Sequence, residues 1–129
     1  MRSGLEVNYR YKSINFIGKF NHKINIISDY SGTGKTLLLK ALRSHLSEEG
    51  KRVIRYSFEM PLEKVIDDYD VMLLDNADLY LTPELFEDLK LTKALIVISM
   101  HRTLGLKLTS EVGRYVCNFD SGTVNIRGW

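Results

Sequence analysis

One short segment combines the residue types that bind phosphate, and it reads Ser28-Asp29-Tyr30-Ser31-Gly32-Thr33-Gly34-Lys35-Thr36. Successive backbone N–H groups in such a turn can point inward and form an anion-binding nest. Gly32 and Gly34 permit backbone conformations that other residues avoid, so the chain can approach phosphate oxygens closely. Lys35 is suited to bind the β- and γ-phosphates, and the Thr36 hydroxyl is suited to hold Mg²⁺. The segment therefore predicts binding of a nucleotide through its phosphates.

The flanking sequence has the elements that such a loop needs. The apolar run Ile24–Ile27 predicts a strand before the loop, and the pattern from Leu37 to Glu49 predicts an amphipathic helix after it. The helix N-terminus adds a partial positive charge and unpaired N–H donors. One departure is Asp29, which stands where the full pattern has glycine, although aspartate tolerates unusual backbone angles better than most residues. The predicted nucleotide contacts within and beside the loop are Asp29, Tyr30, Ser31, Gly32, Thr33, Gly34, Lys35, Thr36 and Leu37.

A second motif is the apolar run Val71-Met72-Leu73-Leu74, which ends in the carboxylate of Asp75. Such a run is typical of a strand buried on both faces. Downstream of a phosphate-binding loop, the carboxylate is expected to accept a water bound to Mg²⁺ and so to help Thr36 hold the metal. The plainer interpretation is a strand end at which Asp75 caps a loop. The metal prediction is therefore Thr36 together with Asp75.

Hydrolysis would also require a group that positions or deprotonates water. Asn76 follows Asp75 directly, and its amide can orient water but cannot accept a proton at neutral pH. The candidate catalytic residues are Lys35, Asp78 and His101. Asp78 lies three residues after Asp75, and His101 follows the apolar run 94–99. The alternative for both is an ordinary surface side chain.

The order of the elements predicts how these residues meet. Apolar runs alternate with helical patterns, which favours an α/β layered domain with a mostly parallel central sheet and flanking helices. An N-terminal β segment and a C-terminal β-hairpin complete the prediction, as one nucleotide-binding domain over 1–129. A short helix or turn is expected at 61–67, and a loop with a short helix is expected within 100–113. Ligands of parallel sheets bind at the carboxyl ends of the strands, where the loop, Asp75 and His101 all fall.

Composition sets limits on the compartment and the partners. The 129 residues are 44% hydrophobic and 26% charged, as in ordinary globular proteins. A formal charge of +2 does not by itself support nucleic-acid binding, which stays open. The single Cys117 fits a reducing environment, and no apolar run reaches membrane-spanning length. We expect a cytoplasmic protein with no membrane partner.

The motifs resemble the ATP-binding core of ABC-type ATPases, in particular the SMC and RecF-like group. Ser31 to Thr36 is similar to Walker A, Val71 to Asp75 to Walker B, and Ile96 to His101 to a strand followed by a switch histidine. The resemblance implies ATP and Mg²⁺ as ligands and the P-loop NTPase fold. It also implies an aromatic residue that stacks on adenine before the loop, with Tyr11 and Tyr9 in that neighbourhood.

The departures from this family are specific. The chain contains no glutamine, lacks the Leu-Ser-Gly-Gly-Gln-like signature, and has Asn76 where many such ATPases have glutamate. Without the signature, the usual dimeric ATP sandwich is not expected, although a homodimer or another protein partner stays open.

The sequence thus predicts an ATP-binding protein and a weak or partner-dependent ATPase that acts as a nucleotide-gated switch. Two alternatives are a small nucleoside or nucleotide kinase and a non-enzymatic mobile-element or phage accessory factor with structural nucleotide.

Overall fold

The structure is a computed structural model that describes residues 4–28, 35–103 and 105–128. Its strands are β1 (Leu5–Tyr11), β2 (Ile14–Phe20), β3 (Ile24–Ile27), β4 (Val53–Tyr56), β5 (Val71–Leu74), β6 (Leu95–Ser99), β7 (Val112–Asp120) and β8 (Thr123–Gly128). Its helices are α1 (Lys35–Glu48), α2 (Pro83–Lys90) and a short 3-10 turn, Ala77–Leu79. No helix among these described residues is long and apolar enough to cross a membrane.

All eight strands belong to one sheet, in the order β1-β2-β8-β7-β3-β6-β5-β4. The neighbours from β7 to β4 run parallel, as do β2 and β8, whereas β1–β2 and β7–β8 are antiparallel. The sheet curls into a half-barrel. Helix α1 contacts both β1 and β4, which are the two edge strands. The curl therefore brings both ends of the sheet to the helix that follows the predicted loop.

The predicted fold class, a helix-flanked and mostly parallel α/β P-loop fold, is wrong. The protein is mostly β, with a mixed curled sheet and two α-helices in the described part of the chain. Segment 61–67, expected to be a short helix or turn, forms no helix and packs Leu62 and Val65 into the apolar cluster on the α2 side of the sheet. The described residues of 100–113 form loop and turn structure without the expected short helix. The expected β segment and hairpin pair with each other through β2 and β8, and this pairing extends the sheet.

The central strands are buried on both faces, as their unbroken apolar runs indicate. Alternate residues point to opposite sides, so Ile27 and Leu73 pack toward α1, whereas Ile26 and Leu74 pack toward α2. The sheet therefore separates two apolar clusters, each completed by one helix. This burial fixes the register of the strands, because a one-residue slip would exchange the two faces.

Helix α2 begins at Pro83, after the N-cap residue Thr82. The Thr82 Oγ1 accepts a hydrogen bond from the Leu85 N–H at 3.1 Å. Pro83 occupies the first turn, where its missing N–H has no cost. The apolar side of the helix buries Phe86 and Leu89 against the sheet.

Candidate functional site

The site lies at the carboxyl edge of the parallel strands. Strand β3 ends just before Ser28, β5 ends just before Asp75, and β6 ends at Ser99. The pairing of Ile27 with Ser99, and of Leu74 with Ile98, aligns these three strand ends. The sheet therefore brings residues that are far apart in the sequence to one edge, as the sequence predicts.

Asp75 is the centre of a hydrogen-bonded cluster. Its Oδ1 accepts hydrogen bonds from the Ser99 hydroxyl at 2.9 Å and the Thr36 hydroxyl at 3.2 Å. Its Oδ2 accepts from Nη2 of Arg55 at 2.7 Å. The Asp75 side chain is only 3% exposed, so each of these contacts counts toward offsetting its desolvation. A buried carboxylate is thus held by two hydroxyls and one guanidinium.

The predicted metal pair, Thr36 and Asp75, is brought into direct contact. No group of three His, Cys, Asp or Glu that could hold a metal occurs in the described ranges. Magnesium commonly takes one or two protein oxygens and fills its other positions with phosphate and water. One hydroxyl and one carboxylate therefore fit Mg²⁺ bound together with a nucleotide. They do not fit a site that is built from protein ligands alone.

Lys35 is the first residue of α1 and is buried, with 8% exposure. Leu37 is half-buried and packs against the apolar cluster on the α1 side of the sheet. Ser28, at the end of β3, has a buried hydroxyl without a hydrogen-bond partner in the described chain. The predicted contacts Asp29, Tyr30, Ser31, Gly32, Thr33 and Gly34 lie outside the described residues.

Arg55 is one of the site residues that sequence reasoning missed. It lies on β4, in register with Leu73 on β5, and its side chain is only 16% exposed. A single cation in the otherwise apolar strand Val53–Tyr56 was the available signal. A buried arginine on one strand and a carboxylate that ends the adjacent strand are a natural ion pair.

Hydrogen bonds also hold the turn after β5 against Ser99 and Asp75. Asn76 has a left-handed backbone with φ of 50°, and its N–H donates to the Ser99 hydroxyl at 2.9 Å. The Tyr80 hydroxyl donates to the Asp75 carbonyl at 2.8 Å. Burial raises the pKa of Tyr80, and the nearby Asp75 carboxylate raises it further. Sequence reasoning did not identify Tyr80, which here stabilises the turn that carries Asp75.

Asp78 and His101, two of the predicted catalytic residues, are neighbours. The Asp78 carboxylate accepts hydrogen bonds from the His101 N–H at 2.8 Å and the Arg102 N–H at 2.8 Å. His101 Nδ1 is 3.7 Å from Asp78 Oδ1, and the His101 side chain is 54% exposed. These contacts make Asp78 a side chain that fixes the loop after β6. A catalytic role for either residue stays a prediction.

Tyr11, the predicted adenine contact, is the last residue of β1, an edge strand that contacts α1. It lines a cavity of about 520 Å³ together with Lys40, Arg43, Ser44, Ser47 and Arg55. The lining includes Arg55, which pairs with Asp75, but not Lys35, Thr36 or Asp75 themselves. Tyr9, the other aromatic candidate, stacks on His45 with ring centroids 4.5 Å apart. The adenine assignment to Tyr11 stays a prediction.

Comparisons with protein-family models, with curated proteins and with solved structures found no match. The resemblance of the motifs to ABC-type cores is therefore neither supported nor refuted by a relative. Function has to be argued from the site itself.

Proposed function

We propose that this protein binds ATP with Mg²⁺ through the segment Ser28–Thr36. We propose further that it is a weak or partner-dependent ATPase that acts as a nucleotide-gated switch. In this proposal Lys35 contacts the phosphates, and Thr36 and Asp75 hold the metal. The proposal concerns this binding segment alone, because the fold that carries it is a mostly β half-barrel.

The observation that carries the proposal is the hydrogen bond from Thr36 Oγ1 to Asp75 Oδ1, at 3.2 Å across 39 residues. The sequence motifs predict this pair for a reason of chemistry, because a hydroxyl and a carboxylate must share one cation. A chance Gly-x-Gly-Lys-Thr in a surface turn would give no reason for its threonine to meet the carboxylate that ends another strand.

The start of α1 suits a polyanion. The N–H groups of the first helical turn lack partners within the helix, and the helix dipole places partial positive charge there. Lys35 adds a full positive charge at the first position of α1. Bound Mg²⁺ would neutralise charge on the phosphates. The protein's own contribution is to place Thr36 and Asp75 beside it.

Binding is better supported than hydrolysis. Asn76 follows Asp75 and cannot accept a proton from water. The Asp78 carboxylate is engaged by the backbone of the loop after β6. His101 is the remaining titratable candidate beside the site, and its side chain is half exposed. We therefore propose slow turnover that a partner could raise by supplying the missing group.

A switch follows from how the two loops are connected. Tyr80 and Asp75 are joined by one hydrogen bond, and Asp78 joins the same turn to the backbone of His101 and Arg102. A change of partners at Asp75 would thus act on the turn 75–80 and, through Asp78, on the loop after β6. Nucleotide switches commonly order and release such loops.

Calorimetric titration of ATP with MgCl₂ tests the proposal, using wild type, Lys35→Ala and the exposed control Lys51→Ala. We expect binding by wild type and the control, and loss of binding in Lys35→Ala, because the cation that faces the phosphates is gone. Equal affinity in wild type and Lys35→Ala would overturn the assignment of the loop.

Steady-state turnover separates the remaining alternatives. ADP release without an acceptor supports the ATPase. Release that requires a nucleoside supports the kinase instead, and tight binding with no turnover supports a structural nucleotide. Adding DNA to the same assay tests for stimulation by nucleic acid.

A further inference from the structure

We propose that Arg55 is the resident cation of the Asp75 site and that Mg²⁺ has to displace it. This inference rests on the proposed nucleotide binding and extends it, because it names the residue that sets how much Mg²⁺ the protein needs. Arg55 belongs neither to the phosphate-binding segment, which follows β3, nor to the run that ends in Asp75, which contains β5. It lies on β4.

The ion pair has the geometry of a strong contact. Nη2 of Arg55 and Oδ2 of Asp75 are 2.7 Å apart, within the short range of charge-assisted hydrogen bonds. The two side chains are only 16% and 3% exposed, so water screens the pair weakly. Thr36 and Ser99 donate to the other oxygen, Oδ1. Both oxygens of the carboxylate therefore already have protein donors.

Three of the roughly four lone-pair positions of the Asp75 carboxylate have donors among the described residues, so a metal-bound water would donate to Oδ2, directly beside the Arg55 guanidinium. The Thr36 hydroxyl would also have to turn from Asp75 to the metal. Turning a hydroxyl costs little, since its hydrogen rotates freely. Keeping a guanidinium beside a divalent cation in a buried site is costly, because like charges repel strongly where the dielectric is low. Displacement of Arg55 is therefore the larger barrier.

The structure also offers Arg55 a place to go. The side chain lines the cavity of about 520 Å³ beside α1, and its buried Nε has no hydrogen-bond partner among the described residues. An unsatisfied buried donor is unfavourable, so the observed position is not the best one for the guanidinium in every state.

The cavity is cationic as well as accessible. Lys40 and Arg43 line it, and neither forms an ion pair within the described part of the chain. Repulsion from Lys40 and Arg43 disfavours movement of Arg55 further into the cavity, and this adds to the cost of displacing it from Asp75.

The consequence is a measurable competition. Arg55→Met removes the competing cation and keeps much of the apolar stem. We expect the MgCl₂ concentration for half-maximal ATP binding to fall about tenfold or more, the factor that one charge-assisted hydrogen bond represents. Arg52→Met is the matched control, because Arg52 pairs with Asp68 at the surface and both side chains are 66% exposed. We expect no shift in the control.

The experiment is calorimetric ATP titration across a MgCl₂ series with these three proteins. Arg55→Gln removes the charge but keeps a neutral donor near Asp75, so it is expected to show a smaller shift in the same direction, and it replaces Arg55→Met if that variant does not fold. The proposal is overturned if the folded variant needs the same MgCl₂ concentration as wild type, or a higher one, for half-maximal ATP binding.

A second readout separates this inference from the proposed function. Weak binding of Mn²⁺ without nucleotide, with water in the positions that phosphates would take, is followed by electron paramagnetic resonance in wild type and the Arg55 variant. If neither protein binds ATP, the proposed function fails. Tighter Mn²⁺ binding by the variant would still support Arg55 as the competing cation, and equal binding would overturn it.

Discussion

The Tyr80 hydroxyl donates a hydrogen bond at 2.8 Å to the backbone carbonyl of Asp75, which lies five positions earlier in the chain. This bond joins the residue that follows the short 3-10 turn Ala77–Leu79 to Asp75, which precedes the turn. The carboxylate of Asp75 is thus positioned from two directions. Its side chain is held by donors from other elements, and its backbone is held by the turn that follows it.

Tyr80→Phe should destabilise the fold by about 1 kcal/mol, the usual net contribution of one buried hydrogen bond. The Asp75 carbonyl loses its partner, while the ring keeps its packing. Urea unfolding of the two proteins measures the difference. Unchanged stability would show that the Asp75 carbonyl finds another donor at no cost.

The same pair predicts a dependence on alkaline pH. Because the pKa of Tyr80 is raised in the folded state, the folded protein retains a proton that the unfolded chain loses near pH 10. The contribution of Tyr80 to the free energy of unfolding should therefore be constant below about pH 10. Above about pH 10, the free energy of unfolding should fall. In Tyr80→Phe the free energy of unfolding should fall less steeply with rising pH. Some decline should remain, because burial also raises the pKa of Tyr9, Tyr56 and Tyr115.

Asp78→Ala should loosen the loop after β6. The N–H groups of His101 and Arg102 both donate to the Asp78 carboxylate, so the variant leaves both without their acceptor. We expect a loss of about 1–3 kcal/mol in stability and faster hydrogen exchange at these two amides. Asp78→Asn keeps one acceptor oxygen and should lie between. Unchanged exchange in the alanine variant would contradict this role.

Asp75→Asn tests the metal assignment. The neutral amide should weaken ATP binding in MgCl₂, while binding in EDTA changes little, because only the metal-dependent part requires the carboxylate. Asp68→Asn is the control, since its exposed ion pair with Arg52 contributes little. Equal losses with and without Mg²⁺ would argue against a metal role for Asp75.

The meeting of Thr36 and Asp75 could be predicted because it depends on local patterns. The strand–loop–helix pattern places Thr36, and the apolar run that ends in a carboxylate places Asp75. Parallel strands have their carboxyl ends at the same edge of the sheet, so the two residues come close together.

Other features depend on long-range pairing and were missed. The parallel contact of β2 with β8 joins segments about a hundred residues apart, and no local pattern specifies it. Arg55 appeared as one cation in an apolar strand, and its partner became visible only once β4 lay beside β5. Segment 61–67 has a proline and acidic residues typical of a helix start, yet the burial of Leu62 against the sheet outweighs local propensity.

Asn76→Glu tests whether the missing proton acceptor limits turnover. If the protein is a slow ATPase, a carboxylate directly after Asp75 should raise the steady-state rate of ADP release, because it can accept a proton from the attacking water. The variant should also lose about 1 kcal/mol of stability, since Asn76 has a φ of 50° and asparagine tolerates this left-handed region better than glutamate. Asn76→Gln is the matched control, with the same backbone strain and length but no carboxylate. A rise in the Glu variant alone assigns the limit to the absent base. Equal rates in wild type and both variants would place the base elsewhere or show that chemistry is not the slow step.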